Sequence, residues 1–303
     1  MTLRTNTIAV ERLTYAYEPE GVLALNGVDL VVRKGEFLGI IGQNGAGKTT
    51  LLKNLVGLLT PTEGRVLIDG LDTRETAVAD LATRVGLVLQ NPDQQLFAQT
   101  VEEEIAFGPR NLGLSQDEIE RRVNEAIAMT GLDAFRRDFP PALAKGDRAK
   151  VIIASVLAMR PQIVIFDEPT TGQDYKGCHQ IMQIARRLHQ DGHTVIVVTH
   201  DMALIAEYTE RTVVLCRGEV LLDGRTEAVF AQTDVLRRTN VMPSQITQLA
   251  RSLPPTLGLP SHALTVQQFG RSILERVRRS SRAGGAPVGK GVKSEPQEVQ
   301  CGS

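Results

Sequence analysis

The sequence predicts an α/β fold in which a mostly parallel sheet is covered on both faces by helices. A small antiparallel part lies near the N-terminus and a helical insertion in the middle. Three observations predict this. Strand-length apolar runs alternate with helical patterns from Ile163 to Leu222, the β-α-β-α rhythm of a parallel sheet. The apolar run Phe37 to Ile41 feeds a Gly-rich loop, and Thr50 to Leu58 then turns apolar at helical spacing. Between them, Asn91 to Met159 carries helical periodicity and no strand signal.

Taken in order, Ile8–Leu13 and Val28–Val32 read as strands, and Thr14–Gly27 reads as a turn-rich connector between them. Glu36–Ile41 is the strand entering the Gly-rich loop. Arg65–Ile68, closed by Asp69-Gly70, is a further short strand, and Val85–Leu89 is an apolar strand ending at Gln90. The insertion holds three helical patterns: Val101–Gly108, Gln116–Met129 with Ser115 as its N-cap, and Asp147–Met159. Strand signals return at Ile163–Phe166 and Thr194–Val198. Thr212–Cys216 and Glu219–Leu222 then flank Arg217-Gly218 as a hairpin, with Lys176–Gln190 and Asp201–Tyr208 as the helices in this half. Beyond Arg238 the pattern weakens to short helices at Gln245–Leu253 and Val266–Arg279. From Ser280 onward Gly, Pro, Ser and Lys dominate, which predicts a disordered tail. The chain thus divides into 1–238 with its helical subdomain near 91–159, an extension over 239–279, and the tail 280–303.

Charge and composition exclude several functions. Among 303 residues, 34 Lys and Arg face 35 Asp and Glu, so the net charge of −1 draws the protein to neither nucleic acid nor anionic membrane. Apolar stretches such as Val151–Met159 fall well short of the roughly 18 residues of a membrane helix. The first ten residues, MTLRTNTIAV, hold no apolar export segment. Cys178, Cys216 and Cys301 are far apart and read as incidental thiols of a reducing compartment. Arg276, Arg278, Arg279 and Arg282 form a small basic cluster that reads as a solvated helix end.

The strongest chemical signal is GQNGAGKTT, Gly42 to Thr50, which fits G-x-x-x-x-G-K-[ST]. Backbone N–H groups of such a loop wrap the phosphates of a nucleotide. Gly42, Gly45 and Gly47 supply close approach and backbone freedom, with Gln43, Asn44 and Ala46 between them. Lys48 can reach the terminal phosphates and Thr49 can ligate Mg²⁺, while Thr50 starts the helix whose dipole favours anions.

The second signal is Asp167-Glu168 at the end of Ile163–Phe166, the sheet edge at which α/β proteins bind ligands. Asp167 is placed to hold Mg²⁺, and Glu168 to orient or deprotonate an attacking water. His200 follows another strand at that edge and can contact the terminal phosphate or hold the water. Gln90, also at a strand end, can ligate Mg²⁺ through its carbonyl. Tyr17 can stack on an adenine ring, with Tyr15 as its rival. His179, His189, His193 and His262 have no such context.

These motifs, in this order, resemble the ATP-binding cassette ATPases across roughly Ile8 to Arg238. The matching pieces are Tyr17, GQNGAGKTT, Gln90, IVIFDEP, Asp174 of TTGQD, and VVTHD with His200. The resemblance implies a P-loop NTPase (RecA-like) core with an N-terminal antiparallel β subdomain and an inserted α-helical subdomain. It implies ATP and Mg²⁺ as ligands, Tyr17 on the adenine, and Gly42 to Thr50 on the phosphates. Thr49, Gln90 and Asp167 would serve Mg²⁺, with Glu168 as catalytic base, His200 on the γ-phosphate, and Asp174 addressing a second ATPase subunit. Gln90 to Ser115 resembles the ATPase subunits of energy-coupling factor transporters, with Asp93 to Gln95 as contacts for a coupling helix. PSQITQLARSL resembles that group's C-terminal region. That resemblance implies a peripheral protein on the cytoplasmic face of the cell membrane. Its partners would be a transmembrane coupling protein and a substrate-capture membrane protein, in uptake of a vitamin or transition-metal ion. A different transporter class, or a soluble cassette ATPase acting on nucleic acid or ribosomes, is the alternative.

One motif departs from the family. Where LSGGQ is usual, the chain has Leu143-Ala144-Lys145-Gly146-Asp147. Ala144 lacks the hydroxyl that would close over the opposite subunit's nucleotide, a charge-assisted bond worth roughly 1.5–3 kcal/mol. Gly146 and the helix dipole remain, Lys145 compensates if it points inward, and Asp147 is unhelpful to a phosphate.

Overall fold

The structure, a computed structural model, describes residues 6–19, 21–91, 95–239, 241–260 and 263–283, with 280–283 as backbone only. Along the chain come β1 (Asn6–Tyr17), β2 (Val22–Arg33), β3 (Phe37–Ile41), α1 (Lys48–Leu55), β4 (Glu63–Ile68), β5 (Leu71–Asp72), α2 (Val78–Ala82) and β6 (Val85–Val88). Helices α3 (Val101–Asn111), α4 (Gln116–Thr130) and α5 (Lys145–Ala158) follow. Then β7 (Ile163–Asp167), α6 (Tyr175–Gln190), β8 (Thr194–Val198), α7 (Met202–Tyr208), β9 (Arg211–Cys216) and β10 (Glu219–Arg225) complete the core. The chain continues through α8 (Thr226–Ala231), α9 (Thr233–Arg238), α10 (Gln245–Ser252) and α11 (Val266–Ala283).

The strands form two sheets. One is antiparallel in the order β2-β1-β4-β5, and the other runs β10-β9-β3-β8-β7-β6. In the second, β9, β3, β8, β7 and β6 pair in parallel and only the edge strand β10 is antiparallel. Every residue of β3, β7 and β8 is buried, as expected of central parallel strands covered on both faces. On one face Leu38, Ile40, Ile165 and Ile196 pack with Leu51, Leu52 and Leu55 of α1 and with Ile8, Val10 and Leu13 of the antiparallel sheet. Each of these leucines, fully buried, contributes about 1.5–3 kcal/mol. On the other face Val164, Phe166 and Val197 meet Ile152 and Ile153 of α5 and Ile181, Met182 and Ala185 of α6.

The insertion has a core of its own, with Val101, Ile105, Val123 and Ile127 against Val151, Ala154 and Ala158 of α5. Helix α5 therefore presents one face to the insertion and another to the sheet. Ser115 caps α4 as predicted, its Oγ accepting from Glu118 N at 3.4 Å, and Thr100, not predicted as a cap, accepts from Glu103 N at 3.2 Å at the start of α3. Arg211 joins the two sheets, donating to the Val31 carbonyl at 2.9 Å and to Glu36 and Asp223 at 3.0 and 2.6 Å.

Three expectations need correction. Thr14–Gly27 is not a turn-rich connector: β1 and β2 continue through it as a long hairpin, leaving only residues 18–21 between the strands. Helix α11 runs past Ser280 to Ala283, so the tail predicted from Ser280 is helical at its start, and residues 284–303 lie outside the described residues. The predicted elements also omitted β5, α2, α8 and α9, each two to six residues long and too short to show a period. Among the described residues no helix is long and apolar enough to cross a membrane.

Candidate nucleotide site

The strands β3, β6, β7 and β8 all end at one edge of the parallel sheet, and that edge forms the floor of a cleft of about 960 Å³. The loop after β3 contributes Gly42 to Thr50, Gln90 lies two residues past β6, β7 ends in Asp167 with Glu168 next, and His200 lies two residues past β8. Tyr17, Val22, Leu23 and Ala24, from the end of β1 and the start of β2, wall one side. Tyr15 is not among the lining residues and packs beneath against the core. The hairpin thereby brings Tyr17, and not Tyr15, to the cleft.

The loop is shaped by contacts only glycine allows. At Gly42 a Cβ would collide with the Leu215 carbonyl. Gly47 stands at φ +99°, and a Cβ there would lie 2.6 Å from the Ala24 carbonyl oxygen. Gly47 caps α1 with no side chain, so the helix N-terminus opens directly on the cleft, where its backbone dipole favours anions.

Lys48 is buried, and its Nζ donates to the Gly42 and Gln43 carbonyls at 2.8 and 3.1 Å. Burial lowers its pKa, while the charges of Glu168 and Asp167 oppose that shift. The Thr49 hydroxyl donates to Asp167 Oδ2 at 3.2 Å. Asp167 is 4% exposed, and burial pushes its carboxyl above the ordinary range. The Thr49 hydrogen bond opposes the rise and the neighbouring Glu168 charge adds to it. A hydroxyl and a carboxylate oxygen converging at this point form a hard-oxygen pair suited to a small divalent cation.

Glu168 leaves the strand at φ +48°, so its carboxylate does not alternate with that of Asp167. Its backbone N–H donates to the Val198 carbonyl at 2.8 Å, fixing it against β8. The side chain is 10% exposed, and its Oε2 meets His200 Nδ1 at 2.7 Å and the His200 backbone N–H at 3.4 Å. The His200 ring itself is 68% exposed and reaches into the cleft. Tyr17, which lines the cleft, extends its hydroxyl to Thr50 Oγ1 at 3.1 Å and packs edge-on against Tyr15.

Two predicted groups lie outside this cleft. Ala144 caps α5 without a side-chain hydrogen bond, and Lys145, Gly146 and Asp147 form its first turn. Lys145 lies against Gly172 of its own chain, and its carbonyl accepts from Gln173 Nε2 at 3.4 Å. Asp147 pairs with Lys150 at 3.1 Å. Asp174 caps α6, accepting from Gly177 N at 2.6 Å. Of the coupling-helix contacts, Asp93 and Gln94 lie outside the described residues, while Gln95 accepts from Leu89 N at 3.3 Å. His179 and His193 make local hydrogen bonds to Tyr208 and to the Pro161 carbonyl, and His262 is not described. The cleft residues that motif reading missed are Val22, Leu23, Ala24, Met202, Val241 and Met242. Val22 and Leu23 belong to no motif, and the structure leaves these adjacent apolar side chains more than half exposed.

Residues 25–171 match the ABC transporter family. The energy-coupling factor transporter ATP-binding protein EcfA2 of Clostridium perfringens is 37% identical over 284 residues, covering 91% of this chain and 100% of that protein. The chain belongs to the ABC transporter ATP-binding proteins. An ABC transporter ATP-binding protein of Caldanaerobacter subterraneus subsp. tengcongensis is 41% identical over 249 residues, 82% of this chain but 44% of that longer protein. Among solved structures, cbiO1 of Clostridium perfringens, part of the ABC transporter complex cbiONQ, has a TM-score of 0.70 at 36% identity. It covers 80% of this chain and 98% of its own. A dimeric ATP-binding cassette in a post-hydrolysis state with ADP and Pi has a TM-score of 0.66 at 31% identity, covering 72% and 98%. The predicted P-loop fold and ABC ATPase class are borne out.

Proposed function

We propose that this ABC ATPase is the ATP-binding and ATP-hydrolysing subunit of an importer of the energy-coupling factor type, powering uptake of a vitamin or a transition-metal ion. The observation that carries the reading is 37% identity across the whole length of an energy-coupling factor ATP-binding protein. In this reading the chain sits on the cytoplasmic face of the cell membrane, paired with a second cassette. A transmembrane coupling protein and a substrate-capture protein complete the assembly.

The cleft assigns a task to each side chain. Tyr17 stacks on the adenine, and the N–H groups of Gly42 to Thr50 take the phosphates. Lys48 exchanges its Gly42 and Gln43 carbonyls for the terminal phosphate oxygens. Thr49 and Asp167, with the Gln90 carbonyl, would hold the Mg²⁺ that neutralises phosphate charge. Glu168 takes the proton of the water that attacks the γ-phosphorus as the bond to the leaving oxygen breaks. Its carboxylate is nearly buried and is oriented by two hydrogen bonds from His200. His200 then remains close enough to touch the γ-phosphate.

The signature segment serves another chain's nucleotide. Ala144 to Asp147 is absent from this chain's cleft, and the Lys145 side chain lies beside Gly172 of its own chain. The site this segment caps is the weaker of the two in a dimer with an intact serine signature. Copurification in mild detergent tests the transporter assignment. Recovery with a membrane coupling protein is expected, and recovery only with ribosomes or DNA would remove it.

A further inference from the structure

The C-terminal extension supplies an unexpected part of the cleft wall. Val241 and Met242 line it together with Met202 and His200, although more than forty residues separate them from the end of β8. Val241 is 5% exposed and packs with Ile41, Ile205, Val214, Phe230, Leu236 and Leu264. Ile41 is the residue immediately before the phosphate loop, and Met202 packs against the same cluster. The backbone is pinned on both sides of Met242. Val241 N donates to the Leu236 carbonyl at 3.1 Å, and Gln248 Nε2 donates to the Pro243 carbonyl at 2.8 Å. Ser244 Oγ donates to the Leu264 carbonyl at 3.1 Å and caps α10.

Met242 itself is 49% exposed. A flexible apolar side chain on an anchored backbone, half-exposed between this cleft and a second pocket lined by Thr233, Asp234 and Arg237, is not explained by core packing. Thioether side chains suit surfaces that close over a ligand, because they adapt their shape at small cost. We propose that Met242 is a nucleotide-binding residue on the cleft wall that the C-terminal extension builds against Met202 and the base of the phosphate loop, so that ATP occupancy and docking of the extension stabilise each other. The proposal rests on the reading of the cleft as the ATP site. Coupling of this kind is reciprocal: a wall that tightens on nucleotide is itself tightened by it. The extension thereby becomes part of the nucleotide switch, reporting the state of the phosphate loop through Val241 to α10 and α11.

Two opposite charges at this position separate a binding role from a structural one. A half-exposed site tolerates either, so Met242→Asp and Met242→Lys should melt alike without nucleotide. Titration of the full chain with mant-ATP and Mg²⁺ should show the Asp variant binding about tenfold more weakly than the Lys variant, as expected for unit charges near a multiply charged phosphate in a partly screened cleft. Hydrogen exchange of the wild type should slow across 241–253 on ATP addition. Asp and Lys affinities within twofold of each other, or no slowing at 241–253, overturns the proposal. If a variant melts below the wild type, Met242→Ala replaces it, with about threefold weaker binding expected from lost apolar contact and wild-type affinity overturning the proposal. Failure of the wild type to bind mant-ATP, or equal binding by Lys48→Ala, would instead refute the ATP-site reading itself.

Discussion

Gly47→Ala tests how tightly the fold constrains the phosphate loop. The residue stands at φ +99°, where an L side chain is strained, and its added Cβ would lie 2.6 Å from the Ala24 carbonyl oxygen and 2.8 Å from Leu25 Cδ2. Left-handed backbone strain costs about 1–2 kcal/mol and overpacking about 1–3 kcal/mol. Leu25 is fully buried, so the neighbour has little room to yield. The sum is roughly 2–5 kcal/mol, a fall in melting temperature of about 2–4 °C per kcal/mol for a domain of this size. Relief by moving the loop a few tenths of an ångström displaces the N-terminus of α1 and Lys48 with it. Misplacement of about 1 Å at a reacting centre costs on the order of a hundredfold, so ATP affinity should fall at least tenfold alongside the melting temperature. Calorimetry without nucleotide and mant-ATP titration measure the two effects. A variant that melts and binds like the wild type would show that the close approach of β2 does not shape the loop.

Asp167→Asn should raise the melting temperature at neutral pH, while removing Mg²⁺-dependent tightening of ATP binding. Burial raises the folded-state pKa of Asp167 above its ordinary 3.8. The wild type therefore loses stability as pH rises through the folded value, and the gain of the variant should shrink as pH falls towards 3.8. Arg211→Ala leaves the part-buried Glu36 without its cation, with the Arg33 N–H still bonded to it, and severs the tie to Val31, so a loss of about 2 kcal/mol is expected in denaturant unfolding. Tyr17→Ala should weaken ATP binding about tenfold through lost stacking, whereas Tyr15→Ala should not, as fluorescence titration of both variants would show.

The parts of the site that were legible in the sequence are those made within one strand and the loop after it. Gly42 to Thr50 declares its chemistry by glycine spacing, and Ile163 to Glu168 by acids following an unbroken apolar run. That His200 would meet Glu168 was half legible. Both follow strands at one sheet edge, but their 2.7 Å contact depends on β7 and β8 being neighbours and on the positive φ of Glu168. The long hairpin was hidden because Pro19, Gly21 and Gly27 signal a break, while only residues 18–21 separate the strands. Tyr17 and Tyr15 differ by one strand repeat and cannot be ranked without knowing which end meets the cleft. Val241 and Met242 carry no local signal at all. They reach the site because α8, α9 and the extension fold onto the apolar cluster beneath Ile41.

In the proposed mechanism this chain hydrolyses ATP in its own cleft with Glu168 as base. Single-turnover hydrolysis of radiolabelled ATP, with protein in excess over nucleotide, tests it most directly in the wild type and Glu168→Gln. The variant keeps the shape of the side chain and its contact with His200 but cannot take a proton. Hydrolysis should fall on the order of a hundredfold or more, with mant-ATP affinity within about threefold of the wild type. Wild-type hydrolysis by Glu168→Gln would contradict the account.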